Sequence, residues 1–266
     1  ITACENNAWL LNIRGNDARY APIPNSYILV SRKKIIFFCD LNKISSVIKK
    51  SLSKITFIKI ESLNKILSTI TDKKFIVDKN TCSIFFENKI LKNNKIINFQ
   101  DCIYNLKSIK NTKEINNIKQ AHIYDGAALT KYIFWIKNNF LKKKITELSG
   151  SSKLLKLREK NKKFKSLSFP TISGTGSNGA IIHYRPSKKT NKRLKKGEIY
   201  LVDSGGQYEF GTTDVTRTIS LKNKSKKVKD IFTRVLKGHI AVAEYNLKDK
   251  TSGNNIDHKA RKYLRQ

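Results

Sequence analysis

Between Ile199 and Ser220 the chain reads IYLVDSGGQYEFGTTDVTRTIS, two strand-like runs joined through a centre that holds Gly205, Gly206 and Gly211. Such a segment folds back on itself as an antiparallel hairpin: the glycines supply turn conformations and the flanks suit a pleated surface. With the polar pair Tyr208-Glu209 at the tip, Asp203 and Asp214 face each other across the ladder. Their Cβ atoms then lie about 5 Å apart on one face. A bulge at the glycines would change this register. Two carboxylates that close repel, so one holds a proton or a cation sits between them. Paired carboxylate oxygens also suit hard or borderline divalent ions. The plainer alternative makes one or both aspartates solvated turn residues, and the D-x₁₀-D spacing alone does not decide.

The pair is conspicuous because the chain has only 20 acidic residues against 54 basic ones, a net charge of +34. Lysine (44), isoleucine (34) and asparagine (25) make up more than a third of the 266 residues, and all three have A/T-rich codons. Arginine, the better reader of phosphates and base edges, occurs ten times. No lysine run is longer than Lys142-Lys143-Lys144. The charge therefore reads as dispersed, with no specific nucleic-acid site; DNA binding of any kind would rest on phosphate neutralisation and fall steeply with salt. Cys4, Cys39, Cys82 and Cys102 form no C-x-x-C, which fits free thiols in a reducing, cytoplasmic compartment. No apolar run reaches 18 residues, so no membrane helix is expected. Methionine is absent and strand-like sequence follows directly on Ile1, so a fragment, truncated at least at its N-terminus, is expected.

Residues 1–106 alternate strand-like and helix-like runs. AWLLNI (8–13), SYILVS (26–31), KIIFFCD (34–40), ITFIKI (55–60), KFIVD (74–78) and CSIFF (82–86) read as strands. LNKISSVIKKSL (41–52) and ESLNKILSTI (61–70) have helical spacing. The alternation predicts an α/β layer with a partly parallel sheet. Residues 111–140 read as one long helix, with Ile115, Ile118, Ala121 and His122 on one face and Glu114 in its first turn. A second helix is predicted from Thr146 as N-cap to about Lys160. Strands and turns follow from Ser166 to Leu221, then helices over about 226–245 and 256–264. The change of texture near 105–111 divides the chain into domains at 1–106 and 107–266.

The hairpin resembles the signature of the aminopeptidase P (Xaa-Pro aminopeptidase) family, over YLVDSGGQYEFGTTDVTRT. The resemblance extends through LSFPTISGTGSNGAIIHYRP (167–186), FTRVLKGHIAV (232–242) and AWLLNIRGND (8–17). It implies an α/β domain of the creatinase N-terminal type, followed by an incomplete pita-bread (α+β) catalytic domain. It also implies two divalent metal ions, usually manganese (Mn2+), bridged by a water or hydroxide that attacks the bond between an N-terminal residue and a proline. By position Asp203 would bind one ion and Asp214 would bridge both. A lone histidine such as His183 is ordinarily a hydrogen-bonded structural residue; the resemblance instead implies an active-site His183 that contacts substrate without binding metal. The implied partners are peptides beginning Xaa-Pro and, in the complete protein, a second copy in a homodimer.

His239, His122 and His258 have no such context and read as structural; Arg217 either pairs with an aspartate or faces solvent. Gly206 stands where the family usually has Ala, and Phe210 where it has Asp. The family's other ligands, one His and two Glu, fall in motifs beyond Gln266, so this chain by itself is expected to be inactive. One alternative is a non-catalytic pita-bread protein that binds peptides, histones or nucleic acid; another is a prolidase- or creatinase-like hydrolase. Retention of both aspartates favours an enzyme, and the TTDVTRT and AIIHYRP strings favour the aminopeptidase.

Overall fold

The structure, a computed structural model, describes residues 1–223, 225–247 and 251–265. In chain order its helices and strands are α1 (Cys4–Leu10), β1 (Tyr27–Val30), β2 (Ile35–Cys39), α2 (Ser46–Ser51), β3 (Ile55–Lys59), α3 (Leu63–Thr69), β4 (Lys74–Val77), α4 (Ile84–Leu91), β5 (Lys95–Asn98) and α5 (Ile103–Ser108). Then come α6 (Thr112–Asn139), α7 (Glu147–Arg158), β6 (Phe164–Leu167), β7 (Ile172–Thr175), β8 (Ile199–Ser204), β9 (Gly206–Tyr208), β10 (Gly211–Thr212), β11 (Val215–Ser220), α8 (Lys226–Ala243) and α9 (Gly253–Arg261). The chain divides into two compact units, one of residues 1–125, 161–169 and 205–213, the other of 126–160, 170–204 and 214–266.

In the first unit β2 lies between β1, antiparallel to it, and β3, parallel to it. Its run IIFFC is apolar on both faces because both are covered. Ile36 and Phe38 pack with Leu63, Leu67 and Ile90; Phe37 and Cys39 pack with Ile28. β4 and β5 form a separate parallel pair. Two expected strands are helices instead. Residues 8–13 hold the end of α1, where Asn12 takes a left-handed φ of 49° and Ile13 N–H bonds Ala8 C=O at 3.0 Å. Together with Asn12 N–H on Trp9 C=O at 3.1 Å, this is a Schellman stop. At 82–86 the Ser83 side chain accepts from Phe86 N–H and starts α4.

The second unit has the sheet β11-β8-β7, antiparallel throughout. Its core gathers Tyr132, Ile136, Leu154, Tyr200, Val202 and Leu221. The long helix α6 forms as expected, but its buried stripe runs through Ala121, Asp125, Ala128, Leu129, Tyr132 and Ile136, while Ile115 and His122 are exposed. α7 starts at Thr146, as its sequence predicts, in a capping box with Ser149. Thr146→Ala is expected to lower stability by about 1 kcal/mol, read as a shift of the urea midpoint with unchanged m. At the C-terminal end Gly238 of α8 meets α9, where an added Cβ would lie 2.4 Å from the Ala260 carbonyl; only glycine permits that approach.

Candidate metal centre

β8 alternates. Tyr200, Val202 and Ser204 are buried in the core, while Ile199, Leu201 and Asp203 point to the opposite face. In the register, Asp203 pairs with Ile172 of β7 on one side and Thr216 of β11 on the other. Residues directly opposite share a face, so Ile172, Asp203 and Thr216 project together. Asp214, two residues before Thr216, has the same parity and sits diagonally from Asp203.

The expected register is therefore corrected by one residue on each strand. Tyr208 pairs with Gly211, so the tip is Glu209-Phe210. Tyr208 cannot serve as a turn residue, because it is buried and its hydroxyl donates to Asp125 Oδ1 at 2.9 Å. Glu209 instead turns outward and pairs with Lys163 and Lys165 at 2.6 and 2.9 Å, which hold its carboxyl down at about 2. The shift moves the aspartates from a direct to a diagonal pair and keeps both on one face.

Their electrostatics bear out close approach. Asp214 is exposed overall, yet partial desolvation first, then the Asp203 charge beside it, push its carboxyl above the ordinary carboxylate range. Asp203 Oδ1 is buried and has no hydrogen-bond partner. A buried carboxyl oxygen left bare in this way is costly unless a donor or a cation meets it. The pair thus fits a divalent ion by its donor chemistry, although among the described residues no third His, Cys, Asp or Glu joins it.

Beside the pair opens a cavity of about 250 Å³, lined by Gly179 to His183 together with Ile172, Leu201, Asp203 and Thr216. His183 is exposed and has a left-handed φ of 55°. Histidine tolerates that region better than most residues, but the conformation is strained and needs surrounding structure to hold it. The structure thus brings His183 and Asp203 to one cavity. His122, His239 and His258 are exposed and lie elsewhere. Arg217 is exposed and donates to the Thr216 carbonyl at 2.8 Å.

A larger, mostly apolar cavity of about 730 Å³ lies in the first unit, lined by Tyr27, Leu29, Phe75, Val77 and Phe86 among others. Its acids have structural work: Asp78 accepts from the backbone of Asn80 and Asp101, and Asp101 from Asn6 and Ile103. The smaller cavity, beside the aspartate pair, is therefore the candidate site.

The sequence gives no hint of Glu147's surroundings. It is fully buried. Its carboxylate accepts from Thr175 N–H at 2.8 Å, Asn178 Nδ2 at 3.0 Å, Tyr184 hydroxyl at 2.9 Å and Lys192 N–H at 3.0 Å. Its backbone carbonyl takes the Ser173 hydroxyl at 2.8 Å, and a chain of hydroxyls continues through Tyr200 to Tyr132. Burial pushes both phenols up, which keeps them neutral. The four carboxylate contacts span 28 to 45 positions of sequence, beyond the reach of any local motif.

Residues 116–266 match metallopeptidase family M24, and residues 1–114 match the creatinase/prolidase N-terminal domain. A probable Xaa-Pro aminopeptidase P of Laccaria bicolor is 38% identical over 274 residues, covering 100% of this chain and 42% of that protein. A Drosophila melanogaster Xaa-Pro aminopeptidase is 36% identical, covering 99% of this chain and 44% of its own length. Among solved structures, an X-prolyl aminopeptidase of Caenorhabditis elegans, described as a cytosolic enzyme with a di-nuclear active site, superposes with a TM-score of 0.85 at 28% identity. The superposition covers 98% of this chain and 44% of that one. The chain thus spans less than half the length of these relatives. The fold is a creatinase-type N-terminal domain followed by the pita-bread fold of the catalytic family.

Proposed function

Because the chain belongs to metallopeptidase family M24, we propose that it is the part of a dinuclear Xaa-Pro aminopeptidase that carries the first two metal ligands. The observation that carries this reading is the aspartate pair: two carboxylates on one sheet face, one with a buried oxygen that nothing in the fold satisfies. Asp203 would hold one ion and Asp214 both, with manganese as the metal. Bound there, the ions supply Lewis acidity and make water a usable nucleophile at neutral pH.

The chain's own residues have separable tasks. Asp203 and Asp214 fix the ions. Ile172, Ile181 and Ile182 give the cavity an apolar lining that suits a proline ring. His183, held at the mouth, donates a hydrogen bond to the scissile carbonyl as negative charge develops on its oxygen. The same reading keeps the domain junction near residues 105–111, supported by family matches that meet at 114 and 116. The same reading includes a homodimer and a cytoplasmic location; the C. elegans neighbour is described as cytosolic, and among the described residues no helix is long and apolar enough to cross a membrane.

A tripeptide with proline second should be cut by the full-length protein, and the same tripeptide with alanine second should not. Cleavage of Xaa-Pro dipeptides alone would favour a prolidase-like hydrolase instead. In that protein His183→Ala should lower kcat about a hundredfold, the scale of losing one oxyanion donor, with the bound metal content unchanged. Loss of metal in this variant would make His183 a ligand and overturn its assignment.

A further inference from the structure

We propose that Glu147 is a positioning residue, whose buried carboxylate sets the course of residues 175–192 and so holds His183 at the cavity beside Asp203. The inference rests on the reading above for the role of His183, and on the structure for the clamp itself. Between β7 and β8 the chain runs from Gly176 to Glu198 with one short 3₁₀ turn, Gly176–Ala180, as its described regular element. An antiparallel bridge from Arg193 to Thr146 pins its far end, while the segment around His183 lies outside the named strands and must hold a strained backbone conformation. Four donors from that stretch and its edge converge on Glu147: Thr175 before it, Asn178 within it, Tyr184 next to His183, and Lys192 beyond. Thr190 ties the same knot: its Oγ1 lies 3.1 Å from the Tyr184 hydroxyl, and its carbonyl accepts from Asn178 Nδ2 at 3.1 Å.

A carboxylate suits this node better than a neutral group. All four contacts are donors, and hydrogen bonds to an ionised acceptor are about twice as strong as neutral ones. An apolar residue of similar size would leave buried donors unpaired. A glutamine would turn an amide NH₂ towards groups that can only donate or are already engaged. Since Tyr184 is covalently next to His183, slack at the node passes directly to the histidine. A shift of about 1 Å at a catalytic group costs on the order of a hundredfold in rate.

The test uses Glu147→Gln and the milder Tyr184→Phe in the full-length protein. Hydrogen exchange over residues 176–192 should quicken by about tenfold or more in E147Q, the loss of one charge-assisted bond, while the rest of the unit keeps its protection. Metal content should stay at the wild-type level. kcat should fall about 10- to 100-fold with KM little changed, and Y184F should show the same pattern more weakly. In a His183→Ala background, E147Q should cost almost nothing further, because the two act through one group. Exchange that quickens throughout the unit, or losses that multiply in the double variant, would overturn the proposal and leave Glu147 as general core structure. Should the wild-type protein cut no Xaa-Pro peptide, the proposed function fails, and the exchange measurement still decides whether Glu147 clamps the segment.

Discussion

Asp214→Asn in the full-length protein, assayed with Mn²⁺ present, should abolish Xaa-Pro cleavage, a loss of at least about a thousandfold. The size follows from several kcal/mol of metal-derived transition-state stabilisation, at 1.36 kcal/mol per tenfold. Asparagine keeps the volume and the diagonal position opposite Asp203, so the fold should survive: Asp214 is exposed and outside the core cluster. What would be lost is one carboxylate oxygen that, on the proposed reading, holds both ions. Asp203→Asn should weaken one ion more than the other, because that residue would bind only one. Wild-type turnover in Asp214→Asn, with circular dichroism unchanged, would remove Asp214 from the site.

The 266-residue chain purified by itself should leave Xaa-Pro peptides uncut and hold at most one divalent ion, weakly. On the proposed reading two aspartates are its contribution to the centre, and among the described residues no cluster of three ligating side chains exists. A centre that must fix coordination geometry and lower the pKa of water needs more ligands and their hydrogen-bonded supports. The helix α8 adds a physical liability. Phe232 and Val235 are 53% and 52% exposed, and Ile231 and Leu236 are also open to solvent, while Gly238 alone is buried. An apolar stripe of this kind favours self-association, which light scattering on the purified chain would reveal. Calorimetric titration with Mn²⁺ that gave two tight sites on this chain would contradict the ligand assignment.

Much of the fold could be read from period and punctuation. β2 stood out as a continuous apolar run, α6 as a long 3.6-period stretch, and α7 by its Thr146 cap. The errors have local causes. AWLLNI and CSIFF are β-like in composition, but Asn12 closes one helix in the left-handed region and Ser83 opens another. Cap residues outweighed the intrinsic preferences of their neighbours. At the hairpin, alternation placed both aspartates on one face, whereas the tip depended on Tyr208, whose burial against Asp125 is a tertiary fact. Glu147 follows directly on the Thr146 cap in the sequence, and nothing local marks it further. Its other role needs partners 28 to 45 residues away that come together only in three dimensions.

The most direct test of a metal-dependent aspartate pair is cleavage of an Xaa-Pro tripeptide by the full-length protein, followed before chelation, after it, and after Mn²⁺ is returned. The account predicts that activity disappears with the chelator and recovers with the metal, and that Asp214→Asn shows no recovery. Proline-specific cleavage that continues undiminished under chelation would contradict it.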